Sequence, residues 1–464
     1  MFFRQYYLDC LSHASYLIGD TTTGRAVVVD PQRDVAEYLS DAKAHGLSIV
    51  SVLETHFHAD FLSGHLELAA QTGATIGYGR AAAGRAEFPI ETYADGDRIQ
   101  LGEVELEIRE TPGHTPESIS IVVHPHGITG QPYSVLTGDT LFIGDVGRPD
   151  LLASVGVTAE ELARQLFHSL HDKLLTLPDD TKVYPAHGAG SACGKSLSTE
   201  TVSTIGEQRR NNYALAPMSE DEFVEAVTQG QSVAPLYFSF AANRNRELRA
   251  LLAEDSKVPN LTMSEVLAFQ HDGAVVIDAR EDLAFAAGHL RGSINVGLGG
   301  RFAEYAGEVM APQTPIVLVT PPGHEAEAKV RLARIGFDRV LGALEHPVDT
   351  FVAHPELVEP LSRLSADALG HRIRSVPDLV LIDVRNPAEV ALGTIVGARA
   401  ISLPALLTSL DQLDRTAPTV TFCAGGYRSA IASSLLRAHG FSDVSDLVGG
   451  YTAWQTHQVA RTGS

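Results

Sequence analysis

Cysteine is scarce in this 464-residue chain: Cys10, Cys193 and Cys423 are the whole supply. Three widely separated thiols argue against a disulfide framework and fit a reducing, cytoplasmic setting, where a cysteine is either a small buried hydrophobe or a reactive group. Cations are short as well. Lys and Arg number 35 against 57 Asp and Glu, a formal charge of −22. That argues against nucleic acid and anionic membrane surfaces as partners, and an anionic substrate must be drawn by local groups working against the overall field. No apolar run approaches a membrane span. The N-terminal MFFRQYYLDC passes from aromatics to charges with no apolar core or small-residue cleavage site, so no signal peptide is expected. The rest, 44% hydrophobic and 20% charged, is a globular composition. The length suits two to four domains.

Residues 1–245 carry short strands and turns broken by helical patches. SYLIGD and RAVVVD read as paired strands joined by the turn-rich DTTTG, and HLELAAQTG reads as a helix stopped by Gly73. Four further strands end on unusual polar residues. IVSVLET runs into His56, VELEIRE into the loop of His114, YSVLTGD into Asp139 and KVYPAHG into His187. After residue 245 strands and helices alternate, as in a parallel sheet with crossovers. An internal repeat appears: VVIDAREDLAFAAGHLRGSINVGL (275–298) aligns with VLIDVRNPAEVALGTIVGARAISL (380–403). Asp278 matches Asp383, Arg280 Arg385, Gly288 Gly393 and Gly292 Gly397, all at one offset (383 − 278 = 105). Two copies of one α/β domain are expected, at 258–350 and 363–464, joined by the polar HPVDTFVAHPELVEP.

The stretch ETHFHADFLSGH places His56, His58 and Asp60 at alternate positions. Two imidazoles two apart on an extended segment face the same way and can share a cation. One such histidine is ordinarily a satisfied core or surface residue. Several His and Asp residues at strand ends, with His114, Asp139 and His187 added, point to a metal centre.

THFHAD, TPGHT, TGDTLF and YPAHG together resemble the metallo-β-lactamase family, whose fold is an αββα sandwich. LSHASYLIGD, VVVDPQRD and GDVGRPDL sharpen the likeness to persulfide dioxygenases fused to rhodanese domains. The resemblance implies one iron(II) held by His56, His114 and Asp139, and oxidation of a low-molecular-weight thiol persulfide by O₂ to sulfite and thiol. Dinuclear zinc hydrolases of this fold place a histidine directly after Asp60, where this chain has Phe61. Phe61 ligates nothing, which favours one metal and leaves a mononuclear zinc hydrolase open. By the family analogy His58, Asp60 and His187 orient the ligands or manage protons; the other reading makes them ligands of a second metal. Arg148 either attracts an anionic persulfide or braces its loop. Cys193 either fills a small buried space or lines the metal pocket and relays sulfur.

TVTFCAGGYRSA ends an apolar strand at Cys423 and opens a helix. Inward-pointing N–H groups of Ala424, Gly425, Gly426 and Tyr427, with the helix N-terminus behind them, stabilise a thiolate, and Arg428 adds a fixed charge at the rim. The segment resembles a rhodanese active-site loop, supported by IDVRNPAE and LVGGYTAW. Four residues between Cys and Arg make a tighter cradle than that of tyrosine phosphatases, which suits sulfane sulfur better than phosphate. The first copy has Thr320 for the cysteine and Glu325 for the arginine. It is expected to be inert: a spacer, a packing partner or a dimer surface.

Joined, the parts suggest that the front domain makes sulfite and Cys423 passes sulfur to it, giving thiosulfate. A thioester hydrolase of the glyoxalase II kind with an appended sulfur carrier is the alternative enzyme, and a non-catalytic sulfur sensor is the alternative outside enzymology. The sequence leaves the carrier thiol open and makes a homo-oligomer the expected state.

Overall fold

The computed structural model describes every residue except 128–129, 152–155, 196, 255 and 463–464, and the side chains of 460–462. The chain forms two compact units. One comprises 1–231 with 238–254, the other 232–237 with 255–464.

The first unit is built on two six-stranded sheets. The front sheet runs β1 (Phe2–Leu8), β2 (His13–Asp20), β3 (Arg25–Val29), β4 (Ser48–Leu53), β5 (Thr75–Gly79) and β6 (Glu91–Tyr93) in sequence order. The hairpin read from SYLIGD and RAVVVD is present, with Tyr16 opposite Val29. The back sheet orders β12 (Ser203–Thr204), β11 (Lys182–Pro185), β10 (Ser134–Gly138), β9 (Ile119–His124), β8 (Glu105–Glu110) and β7 (Arg98–Gln100). Residues alternate between faces because successive side chains of a strand point opposite ways. Val27 and Val29 join Ile108, Ile121 and Leu136 in the layer between the sheets. Ala26 and Val28 turn outward to Tyr38 and Ala42 of the helix Ala36–Ala44. Val122, Val135 and Val183 pack outward with Ala163 and Leu166 of the helix Ala159–His168. The architecture is the expected αββα sandwich. The helix His65–Thr72 ends at Gly73, whose φ of 74° lies in the left-handed region that a C-terminal cap favours.

Both rhodanese-like copies have one parallel sheet topology. In the first, the order is Asn260–Leu261, Val340–Leu344, Ile316–Val319, Val275–Asp278 and Ile294–Asn295. In the second it is Ser362–Leu364, Val444–Leu447, Thr419–Phe422, Val380–Asp383 and Arg399–Ala400. The repeat is held by one recurring contact. Arg280 Nη2 meets Asp278 at 2.5 Å and donates to Gly288 O; Arg385 Nη2 meets Asp383 at 2.6 Å and donates to Gly393 O. No helix among the described residues is long and apolar enough to cross a membrane.

Candidate functional site

Main-chain bonds stitch together the ends of β4 and β9, of β10 and β11, and of β11 and β2. Ile119 N donates to Thr55 O, Ala186 N to Gly138 O and Ala14 N to Ala186 O. Gly147 closes the approach: a Cβ there would lie 1.9 Å from Asp139 O and 3.1 Å from His114 Cβ. The outcome is a buried cluster of His56, His114 and Asp139 whose ligand atoms all lie within 4.8 Å of one another. Asp139 Oδ2 is 3.4 Å from His114 Nε2 and 3.8 Å from His56 Nε2.

The hydrogen bonds around the cluster fix which ring nitrogens are bare. Thr55 Oγ1 donates to Asp30 Oδ2 at 2.9 Å and lies 3.0 Å from His56 Nδ1, so it accepts the His56 Nδ1 proton. His114 Nδ1 is 2.9 Å from Arg148 O, which only accepts. Both imidazoles therefore turn Nε2 toward Asp139, the nitrogen left free for a cation in the neutral ring, which is the usual arrangement behind metal-bound histidine. Burial first, then the neighbouring His58 and His114, pushes His56 well below its ordinary range and keeps it neutral. Asp139 Oδ2 is buried without a hydrogen-bond partner. A bare carboxylate oxygen facing two imidazole lone pairs is a donor set that fits a cation.

His187 sits behind this carboxylate. Its Nδ1 is 2.7 Å from Asp139 Oδ1 and its Nε2 is 2.7 Å from Asp60 Oδ2. Burial alone would lower its pKa; Asp139 and Asp60 outweigh that and push it up to about 10, so His187 is an imidazolium. Cys193 shares a second cluster with Asp60 and His187. Burial, followed by the Asp60 and Asp139 charges, pushes its thiol up and keeps it protonated.

His58 departs from the period-two expectation. Residues 54–60 are not a strand, so His56 and His58 do not share one target. His58 Nε2 lies 3.0 Å from Asp30 Oδ1 and 3.5 Å from Glu54 Oε2, in a third cluster. Burial acts to lower its pKa, but Asp30 and Glu54 hold it well above the usual range. Phe61 is 1% exposed and lies against His13 (ring centroids 3.9 Å apart) and His58 (4.4 Å), filling this flank with hydrocarbon. Arg148 is buried with its guanidinium on both oxygens of Asp150, each at 2.7 Å, while its main-chain N–H donates to Cys193 O. That geometry ties the Arg148 loop to the Cys193 loop.

In the second unit, Cys423 follows the strand Thr419–Phe422 and precedes the helix Tyr427–Ala438. Gly426, at φ 111°, turns its N–H onto Cys423 Sγ at 3.1 Å. LVGGYTAW backs the loop: Tyr451 N donates to Cys423 O, and a Cβ on Gly450 would sit 2.3 Å from that oxygen. Arg428 pairs with both Glu389 oxygens, at 2.7 and 2.8 Å. Burial would raise Glu389, and the Arg428 pair overrides it and holds Glu389 below its ordinary value. The degenerate copy packs on the loop. Tyr427 Oη donates to Gly297 O at 2.6 Å, and its ring lies 5.4 Å from that of Tyr305, edge to face.

The metallo-beta-lactamase superfamily matches residues 8–187, and the rhodanese-like domain matches 262–345 and 365–457. Bovine (Bos taurus) mitochondrial persulfide dioxygenase ETHE1 is 33% identical over 233 residues, which are 50% of this chain and 82% of the relative. The human (Homo sapiens) protein of the same name gives the same identity and coverage.

The chain belongs to the persulfide dioxygenase family of the metallo-β-lactamase superfamily.

Two rhodanese-like domains follow the dioxygenase-family unit. A hydroxyacylglutathione hydrolase from Polaromonas sp. is also similar, 38% identical over 178 residues, covering 37% of this chain and 61% of that one. Among solved structures, a metallo-beta-lactamase from Staphylococcus aureus subsp. aureus COL superposes with a TM-score of 0.67 at 33% identity, covering 74% of this chain and 98% of that one. In this persulfide dioxygenase-family chain, motif reading missed three buried polar groups at the centre. His13 lies 5.7 Å (centroids) from His187, and Asp30 and Glu54 hold His58. Their signal was present in part, as polar residues interrupting LSHASYLIGD and VVVDPQRD.

Proposed function

We propose that this chain oxidises a low-molecular-weight thiol persulfide with O₂ to sulfite and free thiol, and that Cys423 hands a further sulfane sulfur to that sulfite as thiosulfate. The observation that supports the first step is the buried Asp139 Oδ2 without a hydrogen-bond partner, facing Nε2 of His56 and of His114. One iron(II) held by His56, His114 and Asp139 would supply a redox-active cation for the reaction of persulfide with O₂. The chain's other groups hold that donor set still. His187 fixes Asp139 through Oδ1, and Asp60 fixes His187 in turn. Thr55 and the Arg148 carbonyl fix the two imidazoles. Phe61 packs on the rings of His13 and His58 and fills that flank with hydrocarbon. The reaction balances as R–S–SH + O₂ + H₂O giving R–SH, sulfite and two protons.

In the second step the Cys423 thiolate attacks the outer sulfur of another persulfide and releases R–SH. Sulfite then takes that outer sulfur, leaves as thiosulfate and restores the thiolate, with no external oxidant. The Gly426 N–H supports negative charge on Sγ throughout. The degenerate copy acts as a positioning wall for this loop. A Cβ on Gly300 would lie 2.7 Å from the Tyr427 ring. Gly300→Val is therefore expected to displace Tyr427, and Arg428 beside it, and to slow sulfur transfer from thiosulfate to cyanide by about tenfold or more. Oxygen uptake should stay at the wild-type rate. An unchanged transfer rate would remove the positioning role.

Similarity to a hydroxyacylglutathione hydrolase supports a second reading, thioester hydrolysis. A two-arm assay separates them. Iron(II)-loaded protein should form sulfite from glutathione persulfide and should leave S-lactoylglutathione intact. Thioester cleavage without sulfite formation would reverse the assignment.

A further inference from the structure

We propose that Asn245 is a positioning residue for the metal centre: its amide clamps the loop His58–Ser63 that carries Asp60, and through Asp60 and His187 it sets the direction of Asp139. The inference rests on the metal site read above. It adds a residue outside the segments that match the two families, 8–187, 262–345 and 365–457.

The need for a clamp follows from the chain. Between β4 and the helix His65–Thr72 the backbone is buried, yet it has no regular structure beyond a single bridge at Ser63. Buried main-chain groups with no ladder to join require other partners. At His58, Phe61 and Ser63 that partner is one side chain. Asn245 Nδ2 donates to His58 O and to Phe61 O, both at 2.8 Å, and Oδ1 accepts from Ser63 N at 2.9 Å. Carbonyls only accept and a main-chain N–H only donates, so the network fixes which way the amide faces. Asn245 is itself buried, 1% exposed. A carboxylate there would lack both donors, and a hydrocarbon would lack all three contacts.

The two carbonyls bracket Asp60. Held on one nitrogen, they fix the backbone on both sides of it, and its Oδ2 meets His187 Nε2 at 2.7 Å. His187 Nδ1 in turn meets Asp139 Oδ1 at 2.7 Å, which leaves Oδ2 toward His56 and His114. Asn245 therefore stands at one end of a run of contacts whose other end is the donor set. Its own place is fixed from both sides. Asn245 N donates to Ala241 O in the helix Phe238–Arg244. Arg249, four residues on, donates to Ser63 O at 2.5 Å and pairs with both oxygens of Glu67, at 2.7 and 3.0 Å. Groups that orient metal ligands from behind commonly carry about tenfold or more of metal affinity.

The test measures, on the full chain without oxygen, the iron(II) dissociation constant by chelator competition. It adds the electron paramagnetic resonance of the nitric oxide adduct of bound iron(II), which reports ligand geometry and not fold stability. Asn245→Leu should raise the dissociation constant about tenfold and split or broaden the wild-type resonance. Asn245→Gln, with the amide one methylene further out, should recover part of both. Glu87→Ala removes the bond from Leu248 N on the same segment and leaves the amide in place; it should keep the wild-type constant and resonance. In turnover at saturating iron, Asn245→Leu should lower kcat for oxygen uptake about tenfold and move KM for glutathione persulfide less than about twofold. Asn245→Ser, which retains at most one of the three contacts, decides the matter if the Leu variant folds poorly. Wild-type affinity and resonance in the Leu or Ser variant overturn the clamp. An equal loss in Glu87→Ala overturns it in favour of general packing of the segment. Wild type that binds no iron(II) sinks the metal site and Asn245 with it, whereas iron binding without oxygen uptake sinks the dioxygenase reading and leaves the affinities to decide Asn245.

Discussion

Asp139→Asn is expected to empty the metal centre, with metal falling below about one-tenth of an ion per chain and oxygen uptake dropping on the order of a thousandfold. The side chain serves two partners at once. Oδ2 faces His56 and His114 with no hydrogen-bond partner, and Oδ1 receives His187 at 2.7 Å. An amide cannot do both. If its oxygen turns to His187, its NH₂ donors point where a cation must sit. If it flips, it sets NH₂ against an imidazolium. Either way the site loses the negative charge that faces the two imidazoles, so a cation becomes costly to hold there. Metal analysis of anaerobically purified variant and wild type measures this. Sulfur transfer through Cys423, in the other folded unit, is expected to survive, which separates loss of the metal from loss of the fold. Wild-type metal content in Asp139→Asn would remove the residue from the ligand set.

Cys423→Ser is expected to lower sulfurtransferase activity by at least on the order of a thousandfold, because a hydroxyl cannot store sulfane sulfur and is a poor nucleophile at neutral pH. The surrounding contacts are made for sulfur: the Gly426 N–H lies 3.1 Å from Sγ, and Ser429 Oγ lies 3.7 Å from it. Fed a persulfide and oxygen, wild type should deliver thiosulfate, whereas the variant should consume oxygen at the same rate and stop at sulfite. Separating sulfite from thiosulfate over the time course measures the shift. Equal thiosulfate from both proteins would mean that sulfite is trapped in solution and that Cys423 has no part in it.

Both predictions involve residues that the sequence exposes, and the reason is geometric. His56, His114, Asp139 and His187 each follow a short strand that the sequence shows as an apolar or alternating run, so their place at strand ends can be inferred. The Asp278 and Asp383 repeat is legible because each copy needs the same buried Arg–Asp clasp in the same turn. His58 was harder. Its alternation with His56 suggested a shared target, but the segment is a loop, and Asp30 and Glu54 draw the ring elsewhere. Those two acids, 24 residues apart, have no common motif. Arg148 and Cys193 each had two readings that only packing distinguishes, and they meet through a main-chain bond between loops 45 residues apart.

The most direct test is the stoichiometry of oxygen uptake when a thiol persulfide is added to the iron(II)-loaded protein in a closed oxygen-electrode cell. The account predicts one O₂ consumed for each sulfite formed, whether that sulfite is recovered free or inside thiosulfate. Persulfide breakdown or thioester cleavage with no oxygen consumed would contradict it.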